Sequence, residues 1–158
     1  MGLGTRHSRF WRVAAAGLAF ATLVVSPALS GGGEPTVDEL KRRIANSSLG
    51  DRPSLCIRIS ERQLDAADRY YGAGDSEQAK APLGDVVAFS ALARDYSIQS
   101  HKHEKQSEIA IRKMARKLAD LKHTVSHEDQ EQIQSTIDRL QRIRDDLLAA
   151  MFPKGGQK

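Results

Sequence analysis

The residues of this 158-residue chain with the chemistry for metal binding, nucleophilic attack or proton transfer are its histidines, its single cysteine and its three tyrosines. Their spacing argues against all three roles. His101 and His103, with Glu104 adjacent, lie two residues apart, and on a helix that separation turns the two imidazoles about 200° away from each other. His123 and His127 have the i,i+4 spacing of two ligands on one helix face, but the sequence places a turn between them. Cys56 stands between Leu55 and Ile57 with no histidine near it in sequence, so nothing there favours a reactive thiolate. It reads as a small buried residue, with an intermolecular disulfide as the alternative. A lone cysteine excludes an internal disulfide, haem attachment through Cys-x-x-Cys-His and zinc held by paired cysteines. Tyr70, Tyr71 and Tyr96 fit a core or a groove better than acid/base work. There is no Gly-x-Ser-x-Gly elbow, no phosphate-cradling glycine loop and no His-Glu-x-x-His. The expectation is a non-enzyme without catalytic residues, metal ligands or cofactor.

Binding chemistry is better represented. Lys102, Lys105, Arg112, Lys113, Arg116, Lys117 and Lys122 form the one marked charge cluster, offset by Glu104, Glu108 and Asp120. On a helix Arg112, Lys113 and Arg116 lie opposite Ile111 and Leu118. One reading is an ordinary solvated face, helped by Glu108 and Arg112 at i,i+4. The other is a surface for an anionic partner: phospholipid head groups, a cell-wall polymer or an acidic protein. No aromatic is interleaved, so stacking on single-stranded nucleic acid is unsupported.

The N-terminus says where such chemistry would operate. Arg6, Arg9 and Arg12 precede an apolar run from Val13 to Val25, and no acidic residue occurs before Glu34. The run is too short for the roughly 20 apolar residues of a spanning helix, and Pro27 interrupts it. Residues 1–30 therefore read as a cleavable secretory signal, cut near Ser30 after the small residues Ala28 and Ser30, with an uncleaved anchor as the alternative. No cysteine follows for lipid attachment, and no Arg-Arg pair marks the twin-arginine route. Three of the 24 lysines and arginines leave with this segment, so 21 basic residues remain against 20 acidic ones. The remainder is close to neutral, and nucleic acid is excluded as a partner on charge and compartment together.

The elements that would position these residues are helices. Thr36 with Glu39 three residues on is a capping-box signature and opens a short helix over 37–48, closed by Asn46, Ser47, Ser48 and Gly50. Leu55, Ile59, Ala66, Ala67 and Tyr70 recur at helical spacing, giving a second helix over 54–71 that ends at Gly72 and Gly74. From Asp85 to Phe152 there is neither glycine nor proline. Ser126 with Asp129 reads as a fresh N-cap with acidic residues in the first turn, dividing this stretch into a long third helix over 77–122 and a last one over 127–152. Gln99 to Glu108 contains no apolar residue. It is either a solvated helix surface or a loop, and the lack of Gly, Pro, Asn or Asp favours continuous helix, roughly 65–70 Å long. Ile111, Met114, Leu118, Leu121 and Val125 form one seam; Ile133, Ile137, Leu140, Leu147 and Met151 form another, with Arg144 at one of its positions. Two such seams joined by a short connection predict an antiparallel, coiled-coil-like pair.

The segment from Ala67 to Ala79, Ala-Asp-Arg-Tyr-Tyr-Gly-Ala-Gly-Asp-Ser-Glu-Gln-Ala, resembles the tetratricopeptide repeat. Ala67, Tyr70, Gly74, Asp75, Ala79, Leu83 and Val86 occupy the family's packing and turn positions over about residues 59–92. The resemblance implies a helical hairpin in which the alanines let two helices approach while the tyrosine fills the space beside them. The chain departs from the family at Gln63, where a large aromatic is expected, at Pro82 inside the second helix, and at Ala91 in place of the closing proline. One repeat is visible, and the role implied is protein binding or structural.

The sequence thus predicts an all-α protein: a signal peptide (1–30), a leader and short helix (31–53), a helical domain (54–152) and a flexible tail (153–158). Its expected function is an exported, non-enzymatic module for protein-protein contact or structure, periplasmic or secreted. The alternative is a module binding an anionic surface through residues 102–122, and a metal-binding or stress-related periplasmic protein is a third reading. A protein partner is expected, with self-association as a means of covering the helix-pair seams.

Overall fold

The structure is a computed structural model that describes residues 34–153; the expected signal peptide and the tail beyond Pro153 lie outside the described residues. Those residues are all-α, with no strand: α1 (Val37–Ala45), α2 (Arg52–Gly72), α3 (Ser76–Ser100), α4 (Glu104–Lys122) and α5 (His127–Met151). None of these helices is long and apolar enough to cross a membrane.

Local sequence explains most boundaries. Thr36 Oγ1 accepts the Glu39 amide at 3.2 Å and opens α1. The Glu39 carboxylate engages Arg43 rather than the Thr36 amide, so the capping box closes on one side only. Asn46 and Ser47 donate to the carbonyls of Arg42 and Arg43, ending α1 at Ala45, short of the expected 48. Pro53 sits in the first turn of α2, where its missing N–H leaves no gap in the ladder. Gly74, at φ 76°, makes the left-handed turn into α3. Ser126 accepts the Asp129 amide and caps α5 as expected.

The continuous third helix over 77–122 is overturned. His101 and His103 take φ of 53° and 63°, the Lys102 N–H turns back to the Ser97 carbonyl at 3.3 Å, and the chain reverses between α3 and α4. The polar segment 99–108 contributes little that burial would hold in a straight rod. Two left-handed residues cost about 1–2 kcal/mol each. Reversal buries Ile111 and Leu118 to 0 % exposure, and each such side chain contributes roughly 1.5–3 kcal/mol on leaving water. With Met114 and Leu121 also buried, the reversed chain wins.

Helices α2 to α5 run alternately up and down. Ser60 faces Ser90 and Gln63 faces Asp85 across α2 and α3; Glu108 faces Arg144 and Lys122 faces Gln134 across α4 and α5. The expected antiparallel pairing of the last two helices is present. Ile111, Met114, Leu118 and Leu121 meet Ile133, Ile137, Leu140 and Leu147 in one core, joined by Ile143, with Val125 packed at its edge. The cover that the seams require comes from within the chain: Leu64 and Ala67 of α2, and Ala79, Leu83, Val86 and Val87 of α3, belong to the same core. α1 joins through fully buried Leu40 and through Lys41, which lies 3.6 Å from Asp85 and over the Phe89 ring.

Within the repeat-like hairpin Ala67, Ala79, Leu83 and Val86 are buried, but Tyr70 is 37 % exposed. Tyr71 is the tyrosine packed against the core. The reason is helical phase: Leu64, Ala67 and Tyr71 follow one another by three and four residues and share a line, whereas Tyr70 is rotated off it.

Candidate functional site

The structure divides six of the seven basic residues into three groups, while Lys122 donates to Gln134 of α5. Lys113 and Lys117 lie on the α2 side of α4. Lys117 Nζ is 2.7 Å from Asp65 Oδ1 and 3.3 Å from Asp68 Oδ2, and these carboxylates raise its pKa. Lys113 acts on Glu61, whose pKa partial burial and Asp65 push up while Lys113 and Arg58 hold it back. Lys102 and Lys105 belong to the α3/α4 turn and its exit; the Lys102 stem lies so close over Gly50 that a Cβ there would fall 2.7 Å from Lys102 Cδ.

Arg112 and Arg116 stand on the opposite flank, facing α5. With Arg144 and Gln141 they edge an open groove of about 390 Å³ whose floor is Ile111, Ala115, Ala119, Ile137 and Leu140. Its shape follows from sequence. Ala115 and Ala119 are one turn apart on the flank of α4 next to the seam, so small side chains leave a trough where larger ones would close it. Below one end lies Glu108, 7 % exposed, accepting from Arg144 Nε at 2.7 Å with Arg112 Nε at 3.6 Å. The seam position expected for Arg144 is filled by buried Ile143, and Arg144 lies beside it, on the flank where its guanidinium meets the Glu108 carboxylate. The charge cluster alone did not reveal that pairing, yet Glu108 stands three residues before Ile111 on the same seam, which was the available signal.

The groups with reactive potential are placed as follows. Cys56 is fully buried, and burial pushes its thiol up to about 11 against a smaller opposing effect of Arg52. Tyr71 Oη is buried without a hydrogen-bond partner, its pKa raised by burial and by Asp129. The Tyr96 ring carries the Arg52 guanidinium 5.3 Å from its centre. His101 Nδ1 lies 3.8 Å from Glu104, and no cluster of three His, Cys, Asp or Glu residues with metal-site geometry occurs among the described residues. Sequence reading missed two buried hydroxyl contacts. Ser60 donates to the Val86 carbonyl and accepts from Ser90 between α2 and α3; Ser97 meets Ser107 at 3.0 Å between α3 and α4. Both let helices approach closely with their polar atoms paired.

A second, wider groove of about 700 Å³ lies between α1, the start of α2 and His103. Its charges are mixed, with Arg42, Arg43 and Arg58 beside Glu39 and Asp51. No protein-family model, curated protein or solved structure matches this chain.

Proposed function

We propose that this is an exported, non-enzymatic helical module that acts by binding another protein. The observation that carries the reading is the α4/α5 groove, an open trough of about 390 Å³ with an apolar floor edged by arginines. The export half rests on the signal-like sequence of residues 1–30. The α2/α3 hairpin, with Ala67 and Ala79 buried at its interface and Gly74 in its turn, is read as a solitary tetratricopeptide-like unit serving as the platform that holds α4 and α5. The non-enzymatic reading draws on Cys56, a neutral buried thiol unsuited to attack.

The competing reading, an anionic lipid or polymer spread over residues 102–122, has weaker support. Lys117 is engaged by Asp65 and Asp68, and Lys113 faces the α2 acids, so the cluster does not form one positive plane. The test is photo-crosslinking in the producing cell from a reactive residue placed in turn at Ala119, Lys105 and Ala88. Discrete protein adducts from at least one position are expected. Lipid or glycan adducts alone, from every position, would overturn the reading.

A further inference from the structure

We infer that the α4/α5 groove receives an acidic amphipathic helix of a partner protein, an inference that rests on the protein-binding reading above. The partner's apolar face lies on the half-buried Ala115 and Ala119 and on the edge of Ile137, above the fully buried Leu140, and its carboxylates meet Arg112, Arg116 and Arg144. From Ile111 to Ala119 the α4 bank runs about 12 Å, so the occupant contributes two to three helical turns. The two alanines lower the floor enough for a second helix to lie close.

Charge identifies the occupant. Three guanidinium groups edge the groove, and the acids paired with them are Glu108, which meets Arg112 and Arg144, and Asp145, 4.0 Å from Arg144. Glu108 meets the Nε of Arg144 and of Arg112, and Asp145 stands 4.0 Å from Arg144 Nη1, so it is the Nη groups of Arg112 that keep N–H donors for a further carboxylate. Arg116 makes no ion pair among the described residues. A second copy of this chain fits poorly: a two-fold contact across the groove would set these arginines against their own counterparts. A lipid surface also fits poorly, because the floor is recessed, with Ile111 and Leu140 at 0 % exposure, and a bilayer takes up a projecting apolar face.

The probe is a fluorescein-labelled model helix of about four turns with a Leu/Ala face flanked by glutamates, and a twin with lysines in their place. Fluorescence anisotropy with the full chain is expected to show the glutamate helix binding at least about tenfold tighter than the lysine twin, with affinity falling as salt rises. Arg112→Gln with Arg116→Gln lowers that affinity roughly tenfold, and Lys105→Gln, off the groove, changes it less than about twofold. Both arginines are exposed, and a urea midpoint for each variant separates lost binding from lost fold; Arg116→Gln alone provides the milder version. Equal binding of the two helices, or no loss in the double variant, overturns the inference. So does arginine-dependent binding of phosphatidylglycerol vesicles without binding of the glutamate helix, which assigns the face to lipid. If the helix fails while Ala119 still crosslinks to protein in the cell, the acidic-helix inference falls and the protein-binding reading stands. Absence of protein adducts from all three positions removes both.

Discussion

Glycine substitution at the α3/α4 junction has opposite signs for a broken and an unbroken helix. His101 and His103 hold φ of 53° and 63°, a region that costs a side-chain-bearing residue about 1 kcal/mol or more and costs glycine nothing. Glycine also brings extra freedom to the unfolded chain, worth roughly 0.5–1 kcal/mol against folding. The balance for His101→Gly with His103→Gly, the lower end of the backbone relief at both residues less the entropy, runs from about zero to a gain of about 1 kcal/mol. In an unbroken helix the same pair would lose about 0.5–1 kcal/mol, since glycine is roughly 0.3–0.5 kcal/mol less favourable than histidine in a helix interior. The assay is urea unfolding followed by far-ultraviolet circular dichroism, in which a raised midpoint at constant slope reports the gain. Ala88→Gly, on the exposed side of α3, is the control and should lose about 1 kcal/mol. A lowered midpoint for the double variant, matching the control in sign, would refute the left-handed turn and restore one long helix.

Arg144→Met should cost about 2–3 kcal/mol, because it strands the Glu108 carboxylate, 7 % exposed, with only Arg112 at 3.6 Å. Glu108→Gln should cost about 1 kcal/mol or less, since the arginines it releases are already part-exposed and can turn to water; equal urea-midpoint losses for the two would contradict this asymmetry. Tyr71→Phe should be neutral or stabilising by up to about 1 kcal/mol, because the hydroxyl it removes is buried without a partner, and a clear loss by thermal unfolding would mean that a partner exists. Cys56 should resist maleimide in the native protein and react on unfolding. Its folded pKa of about 11 lies above the ordinary thiol value of 9.0, so its contribution to stability is complete below pH 9.0 and fades as pH rises toward 11; a Cys56→Ala variant should lose that alkaline component of the stability-pH curve.

What the sequence discloses depends on how local each cause is. The cap at Ser126, the turn at Gly74 and the two seams of α4 and α5 were readable because each is written in residues a few positions apart. The break at residues 101–103 was not, because no Gly, Asn or Pro marks it and two histidines take a backbone conformation for which their type gives little warning. Its cause is non-local: α4 must return to the α2/α3 hairpin to bury Ile111, Met114 and Leu118, and that requirement overrides the helix propensity of the linking segment. The same non-locality governed the basic face. Counting charges along one helix joined Lys113 and Lys117 to Arg112 and Arg116, and only the placement of Asp65 and Asp68 on α2 separates them. Tyr70 and Tyr71 make the point at the scale of one residue, since the motif pointed to Tyr70 and the phase set by Leu64 and Ala67 turns Tyr71 inward instead. A charge pattern on a single helix is therefore an incomplete description of a site. The groove becomes visible only once the reversal at His101 has turned the third-helix sequence into two helices, folded one flank of α4 against the acids of α2 and left the other, beside α5, open.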